Sequence, residues 1–158
     1  MNMQRRNLFA SAVITAIAGL AGNLLYAPFS TAAEPVITVH KTPWCGCCGS
    51  WVEHMRASGF EVTVREHEDL SPVRTRLDVP QALGSCHTAE VDGYAIEGHV
   101  PASDIRRLLE ERPAGVRGLA VPGMPAGSPG MEMGGRQDPF DVVAFGQKGT
   151  RVFQSHRP

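Results

Sequence analysis

Neither charge predominates in the 158-residue chain: 15 Lys and Arg stand against 16 Asp and Glu, a formal charge of −1. A nucleic-acid-binding surface rests on a basic excess, and none is present, so no nucleic-acid partner is expected. No internal repeat is found, which leaves a globular domain rather than a repeat array. Charged residues at 20% and hydrophobic residues at 42% are ordinary for such a domain. Cysteine is scarce, with four in the chain. Three of these, Cys45, Cys47 and Cys48, fall within four positions, and Cys86 stands far away. That crowding makes a poor framework for stapling a fold, so a chemical role is expected for the thiols.

The one long apolar run lies at the start. Arg5 and Arg6 precede "LFASAVITAIAGLAGNLLYA", and "STAAEP" then offers cleavage after Ala32 or Ala33. Residues 1–33 are therefore expected to be an export signal, and residues 34–158 the mature domain. Arg5-Arg6 before Asn7-Leu8-Phe9 fits a twin-arginine signal, and a general secretory signal is the alternative. An uncleaved anchor fits the length of the run but not the small-residue cleavage site. Removing residues 1–33 takes away two arginines and no acid, which moves the charge from −1 to −3. A periplasmic protein is expected, with no membrane span after cleavage. In that oxidising compartment unprotected thiols become disulfides.

Along the mature chain, "PVITVH" is β-branched and reads as a strand, followed by the cysteine loop. "CGSWVEHMRASG" reads as a helix with Trp51, Val52 and Met55 on its apolar face and Gly59 as its stop. "FEVTVRE" alternates with period two, the pattern of a strand with Phe60, Val62 and Val64 on one buried face. "SPVRTRLDV" reads as a short helix with Ser71 as N-cap and Pro72 at its first position. "TAEVDGYAIEGHV" reads as a hairpin about Asp92-Gly93. "PASDIRRLLEER" reads as a helix with Ile105, Leu108 and Leu109 inward. The segment "GVRGLAVPGMPAGSPGMEMGGRQDP" reads as one long Gly/Pro loop, and "FDVVAFGQKGTRVF" as a closing hairpin.

This order resembles an α/β thioredoxin-like domain of glutaredoxin size, extended by the Gly/Pro/Met-rich loop and the C-terminal hairpin. "PWCGCC" is similar to the thioredoxin active loop, with Cys45 and Cys48 as the CxxC pair. "DVPQAL" stands where that fold carries a cis proline, so Pro80 is expected to be cis. In such a fold the loop ends on a helix N-terminus, where free N–H groups and the helix dipole favour thiolate at the first cysteine. Thiolate serves both disulfide exchange and soft-metal binding, so CxxC alone leaves the two open.

Cys47 weighs toward metal. A dithiol oxidoreductase needs two thiols, and a third between them would scramble its mixed disulfides. Adjacent thiolates can instead bridge several Cu(I) ions. Cys86 follows Pro80 and is expected to close on the other three. His87 beside it is a candidate ligand or proton acceptor, and His99 in "EGHVP" is a weaker one. His40, His54, His67 and His156 show no ligand spacing and are expected mostly at the surface. Met124, Met131 and Met133 lie in the Gly/Pro loop; Met124 and Met131 are candidate thioether ligands, whereas Met55 is expected in the core.

"KTPWCGCCGSWVEHM", "SCHTAEVDGYAIEGHVPASDI" and "GLAVPGMPAGSPGME" resemble the bacterial CopG-type proteins, a family long described as a domain of unknown function and associated with copper resistance. The resemblance spans about Val36 to Phe153. It implies a periplasmic thioredoxin-like protein that binds copper as a thiolate-bridged Cu(I) cluster, with Cys45, Cys47, Cys48 and Cys86 as ligands and more than one ion held. Copper ions, and other periplasmic copper-handling proteins, are the partners it implies. Two further readings stay open: a thiol–disulfide oxidoreductase in which Cys45 attacks and Cys48 resolves, and a zinc or iron–sulfur module.

Overall fold

The computed structural model describes residues 35–132 and 134–158. The expected export signal at residues 1–33, with its twin-arginine motif, and Met133 lie outside the described residues. The elements run β1 (Ile37–Lys41), α1 (Gly46–Ala57), β2 (Val62–Glu66), α2 (Ser71–Arg76), a 3₁₀ turn (Gln81–Leu83), β3 (His87–Val91), β4 (Tyr94–Glu97), α3 (Ala102–Glu111), β5 (Val116–Ala120), β6 (Phe140–Gly146) and β7 (Gly149–His156). All seven strands form one mixed sheet in the order β2-β1-β3-β4-β5-β6-β7. β1 pairs parallel with β2, and β4 parallel with β5, while the other pairings are antiparallel.

Side-chain alternation divides the core between the two faces of this sheet. One face presents Ile37, Val39, Ala89, Val91, Ile96, Leu119, Val142 and Ala144, and receives Trp51, Val52 and Met55 of α1 and Ile105 and Leu108 of α3. Each large aliphatic side chain fully buried there contributes on the order of 1.5–3 kcal/mol. The opposite face presents Ala95, Ala120 and Phe145 to Val79, Leu77 and Leu83, the segment after α2. The sheet is thus covered on both sides at its centre. The edge is less protected: no residue of β2 is buried, although Phe60 just before it is, and Val64 is 37% exposed. The alternation of "FEVTVRE" is real, but at an edge strand its apolar face is only half covered.

Several local expectations need correction. Among the described residues no peptide bond is cis, so Pro80 is trans. Pro80 has extended backbone (φ −60°, ψ 132°) and leads into the 3₁₀ turn, with the reversal absorbed by Asp78 at φ 55°. The chain therefore reaches Cys86 through a helical turn, without a sharp X–Pro bend. Ser71 is inside α2, not its cap; the Asp69 carboxylate accepts from both the Ser71 N–H (2.9 Å) and its hydroxyl (2.7 Å). The long Gly/Pro segment is not all loop, because "VRGLA" forms β5 between β4 and β6. Gly118 is required there: a Cβ would collide with the Ala95 carbonyl and the Phe145 ring.

The Asp92-Gly93 turn has both residues at positive φ (47° and 82°), as a two-residue hairpin turn demands. The closing hairpin also forms, with Gly146 paired to Gly149 across Gln147-Lys148. Among the described residues no helix is long and apolar enough to cross a membrane.

Candidate metal centre

α1 begins at Gly46, two residues earlier than the pattern suggested, so Cys45 occupies the N-cap position and Cys47 and Cys48 lie in the first turn. Within a helix, residues one and two positions apart point in different directions, while those three apart share a face. Cys48 faces the core and is fully buried, while Cys45 and Cys47 are half-buried at the helix end. Cys45 and Cys48 are joined as a disulfide, with Cα atoms 5.4 Å apart, and Cys47 and Cys86 are free.

Cys86 arrives just before β3 and closes the group. Its Sγ lies 3.7 Å from Cys47 Sγ, and Cys47 Sγ lies 3.6 Å from Cys45 Sγ. Cys48 Sγ is 3.5 Å from the Cys86 carbonyl oxygen. All four sulfurs fall within 4.8 Å of one another, so the structure brings together the four cysteines named from the sequence.

Two histidines adjoin the sulfurs on the buried side. His99 Nε2 is 3.0 Å from Cys86 Sγ, and His87 Nδ1 is 3.4 Å from it. Cys86, His87 and His99 form a second set of donor atoms within 4.8 Å. His99 Nδ1 donates to the Pro129 carbonyl at 2.8 Å. A carbonyl only accepts, so Nδ1 carries the proton and Nε2 presents its lone pair to Cys86. His87 is packed between Trp51 (ring centroids 4.5 Å) and the edge of His99 (5.1 Å), and its Nε2 has no hydrogen-bond partner.

Burial holds both rings neutral. It pushes the His87 pKa down to about 3, with neighbouring His99 and Arg74 further disfavouring its protonation, and it lowers that of His99 as well. Burial likewise pushes the Cys86 thiol up to about 12, reinforced by Cys47. Without a metal, Cys86 is a protonated thiol; ligation would have to release that proton.

His99 is the residue that sequence reasoning undervalued. Its signal was its place at the end of β4, one strand over from Cys86, which only the β3–β4 register makes visible: Thr88 pairs with Glu97. The scattered histidines were also expected mostly at the surface, yet His40 is 4% exposed. It is buried because both ring nitrogens are used, Nε2 donating to Glu90 (2.9 Å) and Nδ1 facing His67 Nε2 (2.8 Å). His54, His67 and His156 are half-buried.

The Gly/Pro loop is seated on this centre. Gly130, at φ 82°, packs so closely on the start of α1 that a Cβ would lie 2.7 Å from Trp51 N and 2.9 Å from the Cys47 carbonyl. That seat delivers the Pro129 carbonyl to His99. The methionines divide differently. Met55 is fully buried in the core, Met124 is 55% exposed, and Met131, half-buried, uses its backbone to close the loop on Ser128 and Gly127.

The donor chemistry is that of a soft metal site: sulfurs in contact range, two neutral imidazoles and a largely apolar backing from Trp51. A family model described as a protein of unknown function, DUF411, matches residues 83–131, which hold Cys86, both histidines and the seated loop. Two solved structures, described as Form 1 and Form 2 of the copper resistance protein CopG, are each 48% identical to this chain, with a TM-score of 0.74. They cover 79% and 78% of this chain, respectively, and 99% of their own. No curated protein matches.

Proposed function

The chain belongs to the CopG copper-resistance family, and from that premise we propose that it holds copper as Cu(I) in a thiolate-bridged cluster of more than one ion. The observation that carries this reading is the placement of Cys47. Its sulfur lies within 3.7 Å of both Cys45 and Cys86, in a group whose four sulfurs all fall within 4.8 Å of one another. A third sulfur in contact with two others is useful for bridging ions and a hindrance to a simple dithiol couple. Thiolate donors select Cu(I) over harder ions.

Copper is the cargo of this site. The Cys45–Cys48 bridge must first accept two electrons, from a dithiol reductant, giving two thiolates; only then are four sulfurs free to ligate. We assign Cys45, Cys47, Cys48 and Cys86 as the sulfur ligands and His99 Nε2 as a nitrogen donor at the Cys86 side. His87, whose Nδ1 lies 3.4 Å from Cys86 Sγ, is the auxiliary donor or acceptor behind it. Met131 directly follows the seated Gly130 and is the thioether we place nearest a bound ion; exposed Met124 is a secondary candidate. Cycling of copper between Cu(I) and Cu(II) is the natural extension, since imidazole nitrogen tolerates both states.

On the same reading the domain is thioredoxin-like and exported to the periplasm through the twin-arginine or general secretory route. The strand, cysteine loop, helix, strand, helix and hairpin order supports the first, and the apolar run after Arg5-Arg6 supports the second.

One observation favours a second reading, a thiol–disulfide oxidoreductase. Cys45 is half-exposed at a helix N-terminus and is bonded to a buried Cys48, an arrangement of attacking and resolving thiols. The substitution Cys47→Ser separates the two. It leaves the Cys45–Cys48 couple whole, so disulfide reductase activity with intact turnover in this variant, together with unchanged copper retention, would favour the oxidoreductase. Loss of copper from the reduced variant supports the cluster.

A further inference from the structure

Cys86 has no helix or strand to fix it. It sits between the 3₁₀ turn and the first residue of β3, and a loop thiol on its own would wander by more than a metal site tolerates. The residue before it is nevertheless held on every side. Ser85 N–H donates to Glu97 Oε1 at 2.6 Å, its carbonyl accepts from Arg74 Nη2 at 2.5 Å, and its hydroxyl donates to the Gly123 carbonyl at 2.6 Å. Gly98, at φ 72°, lies against the Ser85 side chain, with no room for a Cβ. Two residues after Cys86, the buried Thr88 hydroxyl donates to the other Glu97 oxygen at 2.5 Å.

Glu97 therefore grips the chain on both sides of the thiol. Its side chain is fully buried and is paired with Arg74, whose Nε and Nη2 reach Oε1 at 2.9 and 2.8 Å. A buried ion pair is a weak way to gain stability, because an apolar pair of similar volume would pack as well without the desolvation cost. Its value lies in direction: a buried carboxylate with both oxygens hydrogen-bonded fixes the groups that bond it.

We propose that Glu97 and Arg74 are positioning residues for the copper site, a buried clamp that holds Ser85 and Thr88 so that Cys86 Sγ is presented to Cys47 and His99. Glu97 is the last residue of β4, and His99 follows it by two. One strand end thus sets both the Cys86 thiol and its imidazole neighbour. The inference rests on Cys86 being a working thiol of that site, and its test needs no copper.

In a Cys45→Ser, Cys48→Ser background, Cys47 and Cys86 remain, with their sulfurs 3.7 Å apart. In glutathione buffers these two thiols form one disulfide while one glutathione disulfide becomes two glutathiones. The equilibrium gives the effective concentration of one thiol beside the other. Glu97→Gln puts an amide where Ser85 and Arg74 need acceptors, and Arg74→Lys removes the link to the Ser85 carbonyl. Each is expected to lower the effective concentration about tenfold or more, the cost of one unsatisfied buried partner. Leu108→Ala, a core change on α3, is the control: it lowers thermal stability and leaves the thiol pair as it was.

If Glu97→Gln fails to fold, Arg74→Lys decides. An unchanged effective concentration in the clamp variants, or an equal drop in Leu108→Ala, overturns the proposal. Copper retention by the four-cysteine protein is measured separately: its absence in the wild type would fail the copper reading while leaving the clamp result standing.

Discussion

Gly130→Ala tests the seating of the Gly/Pro loop on the metal centre. Two costs arise. Alanine at φ 82° is in the left-handed region, which costs about 1–2 kcal/mol for a residue with a Cβ. The new Cβ would also stand 2.7 Å from Trp51 N and 2.9 Å from the Cys47 carbonyl, backbone atoms of α1 that have no rotamer to escape into. The loop must lift, at about 1–3 kcal/mol for forced overpacking, and the His99–Pro129 hydrogen bond is lost, at about 1 kcal/mol.

Gly135→Ala is the matched control, with φ 83° and nothing within 4 Å of its Cβ, so it carries the conformational cost alone. The two variants are expected to differ by about 2–4 kcal/mol, which is about 1–2 M in urea midpoint at an m-value of about 2 kcal/mol/M. Nitrogen chemical shifts of His99 supply a second readout: Nδ1–H in the wild type, a mixture of tautomers in Gly130→Ala. Equal destabilisation of the two variants, with the His99 tautomer preserved, would refute the seated loop and with it the orientation of the His99 lone pair.

Three other outcomes follow from the structure. Gly118→Ala should abolish folding or lower stability by several kcal/mol, because neither the Ala95 carbonyl nor the Phe145 ring can yield; a folded, near-native variant on calorimetry would contradict the β4–β5 pairing. Trp51→Phe should cost about 1 kcal/mol or more in denaturant unfolding, by removing the indole N–H that donates to Val100 O at 2.9 Å and leaving a buried carbonyl unpaired; no loss would mean that water replaces it. Glu90 is held down to about 2 by Arg76 first and His40 second, below its ordinary 4.5. A depressed carboxylate contributes stability above its unfolded value and loses it as pH falls, so wild-type stability should fall more steeply between pH 4.5 and 2 than that of Arg76→Gln; parallel pH curves would dismiss the pair.

Much of this arrangement was legible in the residues. The crowding of Cys45, Cys47 and Cys48, the Asp92-Gly93 turn and the apolar faces of α1 and α3 are local patterns with local causes. What was hidden depends on contacts across the chain. β5 was concealed because Gly118 and the nearby prolines carry loop character, and only the close approach of Ala95 explains the glycine. His99 looked like any loop histidine, since its importance comes from the register that sets Thr88 opposite Glu97. His40 was misjudged as exposed, as its burial is sustained by Glu90 and His67 rather than by any neighbour in sequence. Pro80 was misassigned because a proline before a strand has the same appearance whether its peptide bond is cis or trans; Asp78 and the 3₁₀ turn accomplish the reversal instead.

The central claim is that three adjacent thiols exist to bridge metal ions. Elemental analysis of copper on anaerobically reduced mature protein, wild type beside Cys47→Ser, tests it most directly. The expected result is more than one Cu(I) per chain in the wild type and loss of the multi-ion complement in the variant. One ion or none in the wild type, with disulfide reductase activity undiminished in Cys47→Ser, would contradict it and identify Cys45 and Cys48 as the working pair.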